Sequence, residues 1–168
     1  ASFHLPTVGA SRVLVVDGDP GLTPVASEVY YLERALAPWG RTASLTGGVL
    51  PDITSPSGVN MLDSALHRVV FLANVADPAP WANRLVEFVN QGGSVVISLG
   101  SNVSADRTNG VLAPLLPTAL RRPRSLAGPG EKGIPTQTPD VSIPFFAPFA
   151  RGGLGGFQRI QWQQLFTV

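Results

Sequence analysis

The chain has 168 residues, 44% of them apolar and only 14% charged, and a formal net charge of +1. That length suits one domain able to bury a real core. Eleven of the twelve basic residues are arginine, scattered apart from Arg121, Arg122 and Arg124, so the basic stripe that nucleic acid requires is missing.

The absence of cysteine excludes disulfides, thiolate metal sites and a cysteine nucleophile. No run approaches the roughly 20 apolar residues of a membrane span, and no signal-peptide pattern opens the chain. It begins with alanine and stops at QQLFTV, directly after an apolar stretch. This reads as an excised segment of a longer polypeptide, with any membrane attachment in segments outside it.

RVLVV, residues 12–16, is an apolar, valine-rich run, as expected of a strand buried on both faces of a parallel sheet. After DGDPG, Thr23 is predicted to cap a helix with Pro24 in its first position. Val25, Val29, Leu32 and Leu36 form its buried stripe, and Pro38 and Gly40 end it. A weaker strand is expected over Arg41 to Leu45, then a Gly/Pro/Ser-rich loop to Gly58. Val59, Leu62, Ala65 and Leu66 suggest a short helix.

The next strand is Val69 to Ala73. Asp77 and Pro78 repeat the cap-plus-proline device, and Trp81, Leu85, Phe88 and Val89 share one apolar face. Gly92 is a C-terminal stop, and a fourth strand is expected over Ser94 to Leu99. Strands alternating with helices predict an α/β domain over residues 1–120, a parallel sheet with helices on both faces.

Beyond Asn102 the pattern degrades. A short helix is expected within Val111 to Leu120. Residues 121–168 read as a Pro/Gly-rich arm, too rich in proline for regular elements up to Pro148. Phe145, Phe146 and Phe149 predict that the arm packs rather than floats. RGGLGG, residues 151–156, reads as a connector to an incomplete strand or helix around Phe157, Ile160 and Trp162.

Ligands of open parallel sheets bind at the carboxyl ends of the strands. The residues delivered there are Asp17 and Asp19 after the first strand, Asn74 after the third, and Ser101 and Asn102 after the fourth. VLVVDGDP resembles the acidic start of response-regulator receiver domains. Asn74, however, stands where such a domain needs its phosphoacceptor aspartate, and the one lysine is Lys132. Asp17 and Asp19 therefore read first as turn-shaping residues that bind backbone N–H groups.

SLGSNV lacks the flanking glycines of a Gly-x-Ser-x-Gly elbow around Ser101. The only histidines are His4 and His67, neither of which follows a strand. Ser101 or Asn102 is thus expected to cap a helix. The glycines of RGGLGG lack a Walker lysine, and two isolated histidines argue against a transition-metal site. No cofactor is expected.

VFLANV, the helix ending FVNQGG, and SVVISLG together resemble class I glutamine-amidotransferase-like domains. VLVVDGDP followed by SEVYYLERAL is similar to the amidotransferase-like domain of BatA-like bacterial membrane proteins, which also carry a von Willebrand factor A domain. The resemblance covers about residues 12–116. It implies a flavodoxin-like sheet and places the nucleophile elbow on Ser101, with no histidine after it, so the catalytic triad is absent. It further implies a non-catalytic module, for protein association, self-association or ligand sensing, in a membrane-anchored protein of the bacterial cell envelope. The alternative is a degenerate serine hydrolase using Ser101 and a base from outside the segment.

Overall fold

In the computed structural model the described residues are 10–38, 40, 48–128, 130–144, 146–147, 150, 156 and 159–168. Two compact units divide the chain, Ala1–Ala119 and Leu120–Val168.

The first unit is organised by a four-stranded sheet in the order β2-β1-β3-β4. The strands are β1 (Ser11–Asp17), β2 (Val49–Thr54), β3 (His67–Ala73) and β4 (Ser94–Ser98). Every pairing is parallel, with Leu14 beside Asp52 on one side and Val70 on the other, and Val70 beside Val95. Strand side chains alternate between faces, so the apolar run of β1 supplies both sides. Leu14 and Val16 join Val70, Leu72, Trp81, Leu85, Phe88 and Leu112 in one core. Val13 and Val15 join Val29 and Ala73 in the other, with Leu32 and Leu36 packed against it.

Three helices cover these faces: α1 (Tyr30–Leu36), α2 (Ala82–Asn90) and α3 (Ala105–Leu112). The Asp77 carboxylate accepts the Ala79 N–H at 3.1 Å and opens a 3₁₀ turn, Ala79–Trp81, that runs into α2. Trp81, Leu85 and Phe88 are buried, each stabilising the fold by roughly 1.5–3 kcal/mol. The Trp81 indole N–H also donates to the Pro56 carbonyl at 2.9 Å. Gly92, at φ +92°, stops α2 as expected, its N–H donating to Val89 and that of Gly93 to Phe88.

Four local expectations are corrected. Pro24 begins only a 3₁₀ turn, Pro24–Ala26, for which Thr23 provides no side-chain cap. The α-helix starts at Tyr30 because Ser27, extended at φ −69° and ψ 136°, is drawn to the Asp17 carboxylate at 2.7 Å. Val25 is consequently exposed rather than part of the buried stripe.

The strand expected at 41–45 falls outside the described residues. The loop expected up to Gly58 instead contains β2, which among the described residues pairs with β1 alone, a place where a proline such as Pro51 is tolerated. The helix expected around Leu62 is a 3₁₀ turn, Val59–Met61, with Leu62 buried but Ala65 and Leu66 exposed. Finally, α3 begins at Ala105, ahead of the expected 111–120, and passes into a 3₁₀ turn, Ala113–Leu115, that contains Pro114.

The second unit is not without regular structure. Antiparallel pairs join β5 (Arg124–Ser125) to β8 (Gln164–Leu165) and β6 (Ile134–Pro135) to β7 (Gln161–Trp162). The local proline content hid these strands because their partners lie far along the chain. Phe146 is half-buried, whereas Phe145, Phe149, Phe157 and the glycines at 152, 153 and 155 lie outside the described residues. No helix among the described residues is long and apolar enough to cross a membrane.

Candidate functional site

The carboxyl ends of β1, β3 and β4 meet as the parallel sheet requires, and the side chains of Asp17 and Asn74 bind groups of the neighbouring loops. Asp17, buried at the end of β1, accepts the Asp19 N–H on one oxygen at 3.1 Å and the Ser27 hydroxyl on the other. The Ser27 oxygen in turn accepts the Val29 N–H at 3.2 Å. The Glu28 N–H donates to the Asp19 carbonyl at 3.3 Å. Asp17 thus folds the loop that leads to α1, and Asp19 contributes backbone groups to the same loop.

Asn74 is the centre of the arrangement. It is 1% exposed and, among the described residues, the non-glycine with positive φ (+51°), a conformation that asparagine adopts more readily than most side chains. Its N–H donates to the Ser98 carbonyl at 3.0 Å. Its side-chain amide donates to Glu28 at 3.0 Å, and its Oδ1 accepts the Asn102 N–H at 2.8 Å. One side chain therefore ties the loop after β1 to the loop after β4. The flanking backbone is equally close: a Cβ on Gly18 would strike the Asn74 carbonyl, and one on Gly100 the Asn74 side chain.

Ser101 is exposed in the turn after β4, and Asn102 takes part through its N–H. Neither caps α3. That role belongs to Ser104, whose hydroxyl accepts the Arg107 N–H at 3.4 Å. We expect Ser104→Ala to lower unfolding stability by about 1 kcal/mol, while Ser101→Ala changes it by less than about 0.5. Equal effects in urea melts would contradict this assignment. Arg107 also pairs with Asp77 at 2.8 Å, but both side chains are about half exposed, so the pair contributes little.

A second polar group sits at the start of the sheet. Arg12 donates two hydrogen bonds to Asp52, at 2.8 and 2.9 Å, and His67 Nε2 lies 3.2 Å from the same carboxylate. Asp52 and His67 are buried. His67 Nδ1 lies 3.1 Å from the Asp63 N–H and 3.2 Å from the Asp63 carbonyl oxygen, so the ring is held at both nitrogens. Burial pushes the Asp52 carboxyl up, but the bonds from Arg12 and His67 and their charges outweigh it and hold it below the usual range. Nothing in the local sequence pattern marked this group, since Asp52 lay in an expected loop and His67 just ahead of the third strand. His67 opens β3 whereas Ser101 follows the end of its parallel neighbour β4, so the two lie at opposite ends of the strands.

An open cleft of about 630 Å³ runs beside α2, lined by Asn60, Asp63, Arg84, Glu87 and Gln91 among others. The Arg84 guanidinium donates to the Leu62 carbonyl across it. None of the strand-end residues Asp17, Asp19, Asn74, Ser101 or Asn102 lines this cleft. Among the described residues, no group of three or more His, Asp or Glu side chains could hold a metal ion. No family model, curated protein or solved structure matches this chain.

Proposed function

We propose that the first unit is a non-catalytic, glutamine-amidotransferase-like module of flavodoxin-like topology. In this reading it serves protein association within a larger, membrane-anchored protein of the bacterial cell envelope. The strand order β2-β1-β3-β4 agrees with the first four strands of the flavodoxin-like order 2-1-3-4-5. The observation that carries the reading is Asn74. At the switch point between β1 and β3, where such sheets hold ligands, its amide binds Glu28 and Asn102, and Gly18 and Gly100 press against it. Because the buried Asn74 amide is already bonded on both sides, the strand ends favour contact through the outer surface over ligand sensing. Ser101 is exposed there, but the described histidine is at the opposite, amino end of the strands.

The purified chain is expected to release no ammonia from glutamine above a protein-free control, and to hydrolyse no activated ester at a rate that depends on Ser101. Ester turnover abolished by Ser101→Ala would replace this reading with the degenerate hydrolase. Glutamine turnover of any kind would end it.

A further inference from the structure

The two edges of the four-stranded sheet are built in opposite ways. The β2 edge carries Pro51 and the buried, charged Asp52, held by Arg12 and His67. Proline and inward-pointing charge are devices by which edge strands refuse further strands. The β4 edge has neither. Its run SVVIS lies in a stretch between Glu87 and Asp106 that holds no charged residue and no proline. Its ladder with β3 runs without a bulge from Ser94 to Ser98. No strand among the described residues pairs with its outer side. Val95 and Ile97 lean on the core, whereas Val96 and Leu99 are 40% and 37% exposed.

We infer that β4 pairs with β4 of a second copy, antiparallel about a two-fold axis at Val96. This rests on the reading of the unit as an association module and names its partner: the β4 of a second copy takes the place beside β4 that a fifth strand holds in the order 2-1-3-4-5. The strand is almost its own reverse, Ser-Val-Val-Ile-Ser against Ser-Ile-Val-Val-Ser. Two-fold pairing therefore sets Ser94 opposite Ser98, Val95 opposite Ile97 and Val96 opposite Val96. These are hydroxyl and β-branched pairs of the kind that stabilise sheets, and no like charges meet. An isologous contact also closes on itself and removes the edge from both copies. The strand is five residues long, roughly 17 Å, which places the contact at the low end of interface sizes, below about 1,200 Å². The dimer is accordingly concentration-dependent.

The cysteine-free chain allows a direct test. Directly opposed residues of an antiparallel pair have Cα atoms about 4.5–5.5 Å apart, within disulfide range. Under mild oxidation Val96→Cys should cross-link to itself efficiently, and Ser94→Cys, offset from its own symmetry mate, should not. In sedimentation velocity the wild type should shift from monomer to dimer between micromolar and submillimolar concentration. Val96→Lys should remain monomeric with an unchanged circular dichroism spectrum, and Val96→Thr should still dimerise. A wild type that stays monomeric throughout, equal cross-linking of the two cysteine variants, or a dimer untouched by Val96→Lys would each overturn the inference. None of these outcomes touches the absence of catalysis, which the ammonia and ester assays decide separately.

Discussion

Asn74→Ala is expected to destabilise the first unit by about 3 kcal/mol, from two sources. The amide is buried and bonded on both sides, so its removal leaves the Asn102 N–H without its acceptor and Glu28 without its donor. Alanine must also hold φ near +51°, which costs roughly 1–2 kcal/mol for a side chain with a Cβ. Asn74→Gly separates the two sources, because glycine accepts that conformation and loses only the bonds. It should therefore recover about a third to a half of the loss. Gly18→Ala should be at least as damaging, since its Cβ would meet the Asn74 backbone rather than a flexible side chain that could swing away. Chemical denaturation of the three variants decides the matter. An Asn74→Ala protein within about 0.5 kcal/mol of wild type would show that the strand ends are not tied by this residue.

The second large effect is expected at Asp52, with a defined pH signature. Its carboxyl is held below the ordinary range in the folded chain, so the unfolded chain binds the proton more readily. The stability this contributes is fully present above the unfolded value near pH 4 and is lost as pH falls toward the folded value. Asp52→Asn keeps the shape but removes the charge facing Arg12 and buried His67. Removing one partner of a buried pair costs roughly 3–5 kcal/mol. Arg12 is 41% exposed and can rehydrate, so a value near 2–3 is expected at pH 7. In urea melts the gap between wild type and Asp52→Asn should narrow steadily below about pH 4. A gap of the same size at pH 7 and pH 3 would mean that the carboxylate's charge is not what stabilises the sheet's start.

What could be read from the sequence was whatever its own neighbourhood decides. The run RVLVV, the apolar face of Trp81, Leu85 and Phe88, and the stop at Gly92 are local signals, and the parallel α/β arrangement of these elements followed from their alternation. β2 was missed because its strand character is borrowed: Pro51 is acceptable only at the sheet's edge, and Asp52 only because Arg12 and His67, distant in sequence, meet it. The start of α1 moved for a similar reason, since Ser27 answers to Asp17. At the strand ends, position alone singled out Asp17, Asn74 and Asn102. Glu28 was invisible, because the bond that makes it matter comes from a residue 46 positions away.

The paired strands of the second unit have a kinetic consequence. Their contacts are nested: Thr136 to Ile160 innermost, then β6 with β7, Leu126 to Gln163, β5 with β8, and Arg121 to Thr167 outermost. Bringing Thr136 to Ile160 closes the segment 137–159, at an entropic cost of about 3 kcal/mol plus a constant. Once that loop is shut, Gln163 alone separates β7 from β8, so the outer rungs add only the short excursion 127–133. The ladder should thus assemble as a zipper from the inside out. The Trp162 indole, which donates to the Thr136 hydroxyl at 2.8 Å, fastens its first tooth. Damage at that tooth should slow formation of every rung beyond it, while damage at Arg124 or Leu165 should leave the inner rungs forming at their own rate.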